Sequence, residues 1–223
     1  WPLTDNNLGD ISTNGGGPMT LSGSGDALSM SGDAGVTFAG GMWLKGLLAT
    51  PVGTLFSPNV TLEAVVTVDP ATVTEGTVAT ITGGYGPALV ITVGADGKPR
   101  ARTWNVFTPG AWTASVIGAT AINDDLVHHL AATWNNSTGT LALYVDGASA
   151  GSVVSSAGTG RFEANGDHIT AGGSSHTDPL TGTVAYVAAF HSVLSGARIA
   201  EHAAGVLDGF TGDTVTERID RYN

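Results

Sequence analysis

Residues 126–147 read LVHHLAATWNNSTGTLALYVDG, and their pattern decides the fold. His128, Leu130, Ala132 and Trp134 alternate with His129, Ala131 and Thr133. Leu141, Leu143 and Val145 then share one face of a second run. A period of two on both arms is the mark of strands in a half-buried sheet, because successive side chains of a strand point to opposite faces. The polar stretch Asn135–Gly139 supplies the connection between the arms. Asp146-Gly147 closes the second run and is the dipeptide that suits a two-residue hairpin turn. An antiparallel hairpin, leading into a further strand after Gly147, is therefore expected here.

The same alternation recurs on either side. In Asn59–Asp69, Val60, Leu62, Ala64, Val66 and Val68 lie on one face and Thr61, Glu63, Val65 and Thr67 on the other, with Pro70 ending the run. Shorter strands are predicted at Met19–Leu21, Ala27–Met30, Val36–Phe38, Val78–Thr82, Ala88–Val93, Arg100–Trp104, Asp167–Ala171 and Thr183–His191. Turns GGYGP at 83–87 and ADGK at 95–98 separate several of them. Residues 42–50, MWLKGLLAT, read as a short helical turn or an irregular segment. Strands spaced near ten residues, with a turn at each step, predict an all-β, antiparallel two-sheet sandwich.

Bulk composition agrees. The 223 residues suffice for one large β domain, and 33 glycines and nine prolines suit many turns. Hydrophobic residues make up 42% of the chain and charged residues only 12%, so Gly, Ser, Thr and Asn must cover much of the surface. Nineteen acids against eight bases give a net charge of −11. That charge excludes a phosphate-neutralising surface, so no nucleic-acid partner is expected. It disfavours an anionic lipid surface, and no apolar run reaches the length of about twenty residues that a membrane-spanning helix needs. The absence of cysteine rules out disulfides and thiolate metal sites. The chain starts at Trp1 without Met or a signal-like segment, which reads as a mature or excised piece.

Two helices are expected. Ser195–Ala204 begins on a serine in N-cap position and should stop at Gly205. Thr214–Glu217 fits a capping box that opens a terminal helix with Val215, Ile219 and Tyr222 on one stripe. The charged end of that helix reads as a domain border or a segment that docks on a neighbour.

Chemistry-bearing residues are sparse. The pair His128-His129 cannot chelate one ion, because adjacent strand residues diverge; one ring packed and one exposed is expected. Gly147–Gly151 matches a nucleophile elbow as text, but it lacks the strand-to-helix turn that the elbow needs. A retaining glycosidase requires two carboxyls about 5 Å apart. None of Glu63, Glu75, Glu163, Glu201 and Glu217 has an acid at the spacing that would supply one from a single strand, and Asp124-Asp125 are adjacent. A pair assembled from distant strands stays open. Asp167, His168, His176 and Asp178 gather near GGSSHTDP, and Asp5, Asn6, Asn7 and Asp10 form another oxygen-rich run; both read as solvated loops. No catalytic residue, metal ligand or cofactor is assigned. Among the aromatic residues outside the core periods, Tyr85, Trp104, Phe107 and Trp112 form the predicted ligand rim; Trp43 also stands outside them. Sugar rings stack on exposed aromatic faces, and three of the four rim residues lie within nine positions around TPGAW, read as a loop.

Four pieces, in order, resemble the laminin G-like domains of the concanavalin A-like lectin/glucanase superfamily. They are Trp1-Pro2-Leu3, Thr61-Leu62-Glu63-Ala64, the paired histidines through Leu143-Tyr144-Val145-Asp146-Gly147, and Leu180–Val187 with Leu194-Ser195 and Ile199. The family's tryptophan before the histidines is Val127 here, and its acidic pair in the last strand is Ala185-Tyr186, which puts a structural calcium site in doubt. The resemblance implies a jelly-roll sandwich over residues 1–205 and a C-terminal extension over 206–223. A second resemblance, of residues 209–223, GFTGDTVTERIDRYN, is to the segment that follows such domains in minor tail proteins of phages of actinobacteria. Together they imply a non-catalytic module of a phage tail, on a virion or extracellular, that binds a host-surface glycan or builds the tail with other tail proteins. The alternative is a secreted bacterial glycoside hydrolase or its carbohydrate-binding accessory domain. Nothing in the sequence fixes an oligomeric state.

Overall fold

A computed structural model of the chain describes residues 19–23, 28–30, 35–40, 42–47, 59–72, 74–83, 86–104, 112–155, 168–173, 177–190 and 192–207. Fourteen strands and one helix are present among them. In chain order the strands are β1 (Met19–Gly23), β2 (Leu28–Met30), β3 (Val36–Ala39), β4 (Met42–Leu47), β5 (Asn59–Thr67), β6 (Gly76–Gly83) and β7 (Gly86–Val93). They continue as β8 (Pro99–Trp104), β9 (Trp112–Ile117), β10 (Val127–Asn135), β11 (Thr140–Val145), β12 (Ala148–Val154), β13 (His168–Ala171) and β14 (Thr181–Phe190), followed by helix α1 (Gly196–Leu207). All strand pairs are antiparallel and form two seven-stranded sheets. The first runs β1-β4-β13-β6-β7-β8-β9 and the second β12-β11-β10-β5-β14-β3-β2. Neighbours distant in sequence alternate with hairpins, so neither sheet is a simple meander.

The core lies between the sheets and follows the alternation. Val60, Leu62, Ala64 and Val66 of β5, Leu130, Ala132 and Trp134 of β10, and Leu141 and Leu143 of β11 face inward from the second sheet. Ala79 and Ile81 of β6, Leu89, Ile91 and Val93 of β7, and Ala101 of β8 meet them from the first. Each fully buried Val, Leu or Ile here contributes about 1.5–3 kcal/mol by leaving water. A one-residue slip of β5 would turn Thr61 and Glu63 into this layer, so the register is fixed by the pattern itself. The Asp146-Gly147 turn has positive φ at both residues, 51° and 78°, as a tight hairpin turn matching the strand twist requires.

At one flank the edge strands β9 and β12 lie against each other. Strand β12 is irregular there: Leu143 pairs with Gly151 and Tyr144 with Ser149, leaving Ala150 as an extra residue. Gly151 sits at φ 144°, and a Cβ on it would stand 3.2 Å from Val116 Cγ1 of β9.

Several sequence expectations need correction. Residues 42–47 are strand β4, not a helical turn, with Leu44 buried in the core. Trp112 opens strand β9, where the sequence suggests a loop, whereas Trp104 ends β8 as expected of the strand Arg100–Trp104. Helix α1 runs through Gly205 to Leu207, because a single glycine weakens a helix without ending it. Ser195 caps α1 as expected, its Oγ accepting from the Arg198 amide at 3.2 Å. With 12 residues, α1 is too short to cross a membrane. The helix expected from Thr214 lies outside the described residues.

Candidate functional site

Strand direction brings two of the four predicted rim residues, Trp104 and Trp112, to one end of the first sheet. Strands β4, β6 and β8 run one way, and β13, β7 and β9 the other. Leu47, Gly83 and Trp104 are therefore last residues, and His168, Gly86 and Trp112 first residues, at the same end. Trp104 pairs with Trp112 after a register irregularity that follows Thr103. Tyr85 and Phe107 lie outside the described residues, in the connections joining β6 to β7 and β8 to β9, which begin and finish at this end. The structure thus assigns the backbones of Trp104 and Trp112 to adjacent strand ends; their side chains are outside the description.

The broad outer face of the first sheet is closed at its centre. One register row crosses it as Lys45, Thr170, Thr80, Val90, Arg102 and Ser115. Thr170, Thr80 and Val90 in that row are fully buried, as is Thr82 beside it. The threonine hydroxyls satisfy one another: Thr80 Oγ1 lies 2.7 Å from Thr82 Oγ1 and 3.0 Å from Thr170 Oγ1. Beyond Val90 stands an ion cluster. Glu75 accepts from Arg100 Nη1 at 2.7 Å, from both terminal nitrogens of Arg102 and from Thr92 Oγ1 at 3.0 Å. Asp96 accepts from Arg100 Nη2 at 3.0 Å. Burial pushes the Glu75 carboxyl up, but the Arg102 and Arg100 guanidiniums and the Thr92 hydroxyl outweigh it and hold the group below the usual carboxylate range.

On the outer face of the second sheet, α1 packs over β10 and β12. Glu63 sits in a register row between Ala131 of β10 and Ala188 of β14. These two small neighbours leave room above the carboxylate, and His202 of α1 fills it, with Nδ1 at 2.9 and 3.1 Å from the two carboxylate oxygens. His129 of β10 brings its Nε2 to 3.7 Å from Glu63 Oε2, beyond hydrogen-bond length. Both Glu63 and His129 are fully buried. Burial pushes Glu63 up, yet the two imidazoles hold it below the ordinary carboxylate value. Tyr186 of β14, beside this carboxylate, is pushed far up by burial and by the Glu63 charge. Phe190 of β14 packs its ring on His202 with centroids 5.5 Å apart.

The other histidine of the pair behaves differently. His128 bonds Asp146 Oδ2 through Nδ1 at 2.8 Å and Asp124 Oδ1 through Nε2 at 3.1 Å. An imidazole flanked by two carboxylates on both nitrogens is favoured in its protonated form. Its pKa is accordingly raised, first by the Asp146 bond and further by Asp124, against the opposing effect of burial. Asp124 is held low first by the Leu126 amide and then by His128. Burial pushes Asp146 up, but His128 and the His129 amide, 2.9 Å from Oδ1, hold it low. The paired histidines therefore do diverge, His129 under the helix and His128 to a half-buried rim.

The sequence singled out these histidines but missed their partners. Glu63 and His202 are 139 positions apart, and only strand register and helix docking join them. The legible signal was Glu63 itself, one carboxylate in the otherwise apolar run NVTLEAVVTV, which must find a counter-charge if buried. Ser149 of the elbow-like text lies on edge strand β12, followed by strand rather than helix. Asp178 is exposed, while Asp167, His176, Asp5, Asn6, Asn7 and Asp10 lie outside the described residues, as does the side chain of His168. Among the described residues no group of three or more His, Asp or Glu side chains is set to hold a metal ion.

The family model for the concanavalin A-like lectin/glucanases superfamily matches residues 45–200. No curated protein matches the chain in sequence. Among solved structures, the fold is similar to domain 4 of AbnA, an extracellular family 43 arabinanase of Geobacillus stearothermophilus, in complex with arabinotriose. That match has a TM-score of 0.65 and 18% identity, covering 91% of this chain and 96% of the other. It is also similar to the binding domain of botulinum neurotoxin DC in complex with rat synaptotagmin II, with a TM-score of 0.68 and 11% identity, over 92% of this chain and 51% of the other. A heptameric pentraxin from Limulus polyphemus matches at 0.52 and 13% identity, over 66% and 70%. The chain spans about half the length of the neurotoxin binding domains it matches.

Proposed function

The chain belongs to the concanavalin A-like lectin/glucanase superfamily, and on that footing we propose that it is a non-catalytic carbohydrate-binding module whose ligand meets the strand-end rim of the first sheet. The observation that carries this reading is the occupation of the centre of each broad face, by the buried, mutually bonded hydroxyls of Thr80, Thr82 and Thr170 on one and by α1 over β10 and β12 on the other. The end where Trp104 and Trp112 stand, and where the connections bearing Tyr85 and Phe107 begin, is then the place for a sugar to stack. The state of the acids supports a binding role over hydrolysis. A glycosidase needs one carboxyl kept protonated by a raised pKa. Glu63, Glu75, Asp96, Asp124 and Asp146 are all held below their ordinary values. Asp124 and Asp146 approach one centre, but His128 stands hydrogen-bonded between them.

The near end-to-end match with an arabinanase domain bound to arabinotriose favours a neutral glycan, as does a net charge of −11, which repels anionic polymers. For the setting, the words of residues 209–223 support a phage tail, with a host-surface glycan as ligand, other tail proteins as neighbours and a virion as location. The arabinanase match favours a second setting, the accessory domain of a secreted bacterial hydrolase. A glycan array with the intact chain, followed by titration calorimetry of the best neutral oligosaccharide, tests the binding. Trp104→Ala and Trp112→Ala should each weaken affinity at least tenfold without lowering the thermal midpoint by more than a few degrees. No binding to any glycan, or binding unchanged in both variants, would overturn the assignment.

A further inference from the structure

We infer that α1 is an acid-released clasp: Glu63 on β5 and His202 on α1 fasten the helix to the second sheet, and protonating Glu63 lets the helix leave while the sandwich stays folded. The argument is geometric. Helix α1 buries only Ile199 and Ala203 fully, a small apolar contact for an element of 12 residues. Its polar anchor is a fully buried carboxylate accepting from His202 Nδ1 through both oxygens. A buried charge is tolerable only while it is compensated, and removing one partner of such a pair is far more costly than the pair's net worth.

The groups around Glu63 leave little other compensation. From β10 comes His129, whose ring nitrogens have no hydrogen-bond partner among the described residues. From β14 comes the Tyr186 ring, and from α1 comes His202. Asp146 meets the His129 backbone twice, its Oδ1 accepting from the His129 amide at 2.9 Å and its own amide donating to the His129 carbonyl at 2.8 Å. Tyr144 of β11 lies under the helix start, where a Cβ on Gly196 would meet its ring at 3.5 Å. Arg198 and Glu201, exposed on α1, bond each other at 2.9 Å. Once Glu63 is neutral, its two oxygens no longer offer His202 Nδ1 a charged acceptor, and α1 loses its polar anchor on the sheet.

The sign follows from Glu63 being held low. Its contribution is complete above about pH 4.3, the ordinary glutamate value, and is lost as pH falls through the lower folded value. By contrast, the strands beneath are held chiefly by an apolar core, and the Asp124 and Asp146 clamp on β10 begins to weaken only below the ordinary aspartate value of about 3.9.

Hydrogen exchange of the full chain between pH 7 and pH 3, with rates corrected for intrinsic exchange, tests the clasp. As pH falls from the ordinary glutamate value of about 4.3 to the lower folded value, amides of 199–207 should lose protection by about tenfold per pH unit, the slope of a one-proton step. Amides of β10 and β11 should keep theirs over the same range. Glu63→Gln should abolish the acid step. His202→Gln, which keeps a hydrogen-bond donor on the helix without an imidazole charge, should abolish it too, and it decides the matter if Glu63→Gln does not fold. Simultaneous loss of protection by α1 and the strands, or an unchanged acid step in the folded variants, would overturn the inference.

Discussion

At the residue scale, the two adjacent histidines show how one strand serves two environments. His129 turns to the outer face of the sheet beneath the helix, where burial is complete and its Nε2 stands 3.7 Å from Glu63. His128, one residue earlier, is clamped by Asp124 and Asp146. Its raised pKa makes this clamp dependent on pH in a defined direction. The stabilisation from His128 is complete below about pH 6.5 and is lost as pH rises through the higher folded value. Asp146 and Asp124, both held low, set the acid limit, losing their contribution as pH falls below the ordinary aspartate value of about 3.9. Asp146→Asn should therefore lower the unfolding free energy by about 1 kcal/mol at pH 6, a modest figure because the carboxylate is partly exposed and screened. The deficit against the unaltered protein should narrow in alkaline buffer, as measured by urea titration at several pH values. A deficit that widened there would show that the Asp146 bond to the His129 amide, rather than the ion pair, dominates.

At the element scale, the helix fits the sheet because the hairpin turn beneath it carries no side chain at Gly147. A Cβ there would stand 2.8 Å from the Ala200 Cα and 3.2 Å from the Ala203 Cβ, and the residue already sits at φ 78°. Gly147→Ala should cost about 1–3 kcal/mol through backbone strain and helix displacement together. Loss of protection in 196–207 exceeding that in β7, on the other sheet, is the signature to measure. This element also shows what the sequence could and could not convey. Its serine cap and its two buried apolar residues were local signals, so its existence was legible; its end was not, because Gly205 is tolerated inside a packed helix. Strands β5, β10 and β11 were readable because a single face of each is apolar. Strand β4 was obscured, since MWLKGL breaks its alternation at Gly46-Leu47 and its partners β1 and β13 are remote in sequence. Strand β9 was hidden by the glycine and proline just before it, which drew Trp112 into an expected loop. The clasp was legible only as an isolated acid, because its partner arrives through tertiary docking.

At the scale of the whole molecule, the low charge content raises a problem that the fold meets by shape. Edge strands with free amides and carbonyls invite other chains to pair with them, and proteins usually deter this with lysine, proline or a bulge. Strand β12, ASAGSVV, has neither lysine nor proline. What it has is the extra residue Ala150 and the inward lean at Gly151 toward Val116. By that principle the bulge is the feature of this edge expected to deter pairing with another chain, where other proteins use charge. Deleting Ala150 would restore an unbroken ladder and present a straight, uncharged rail to neighbouring copies. Light scattering should then show concentration-dependent growth of large species beyond that of the unaltered chain, even if the sandwich itself keeps its thermal midpoint.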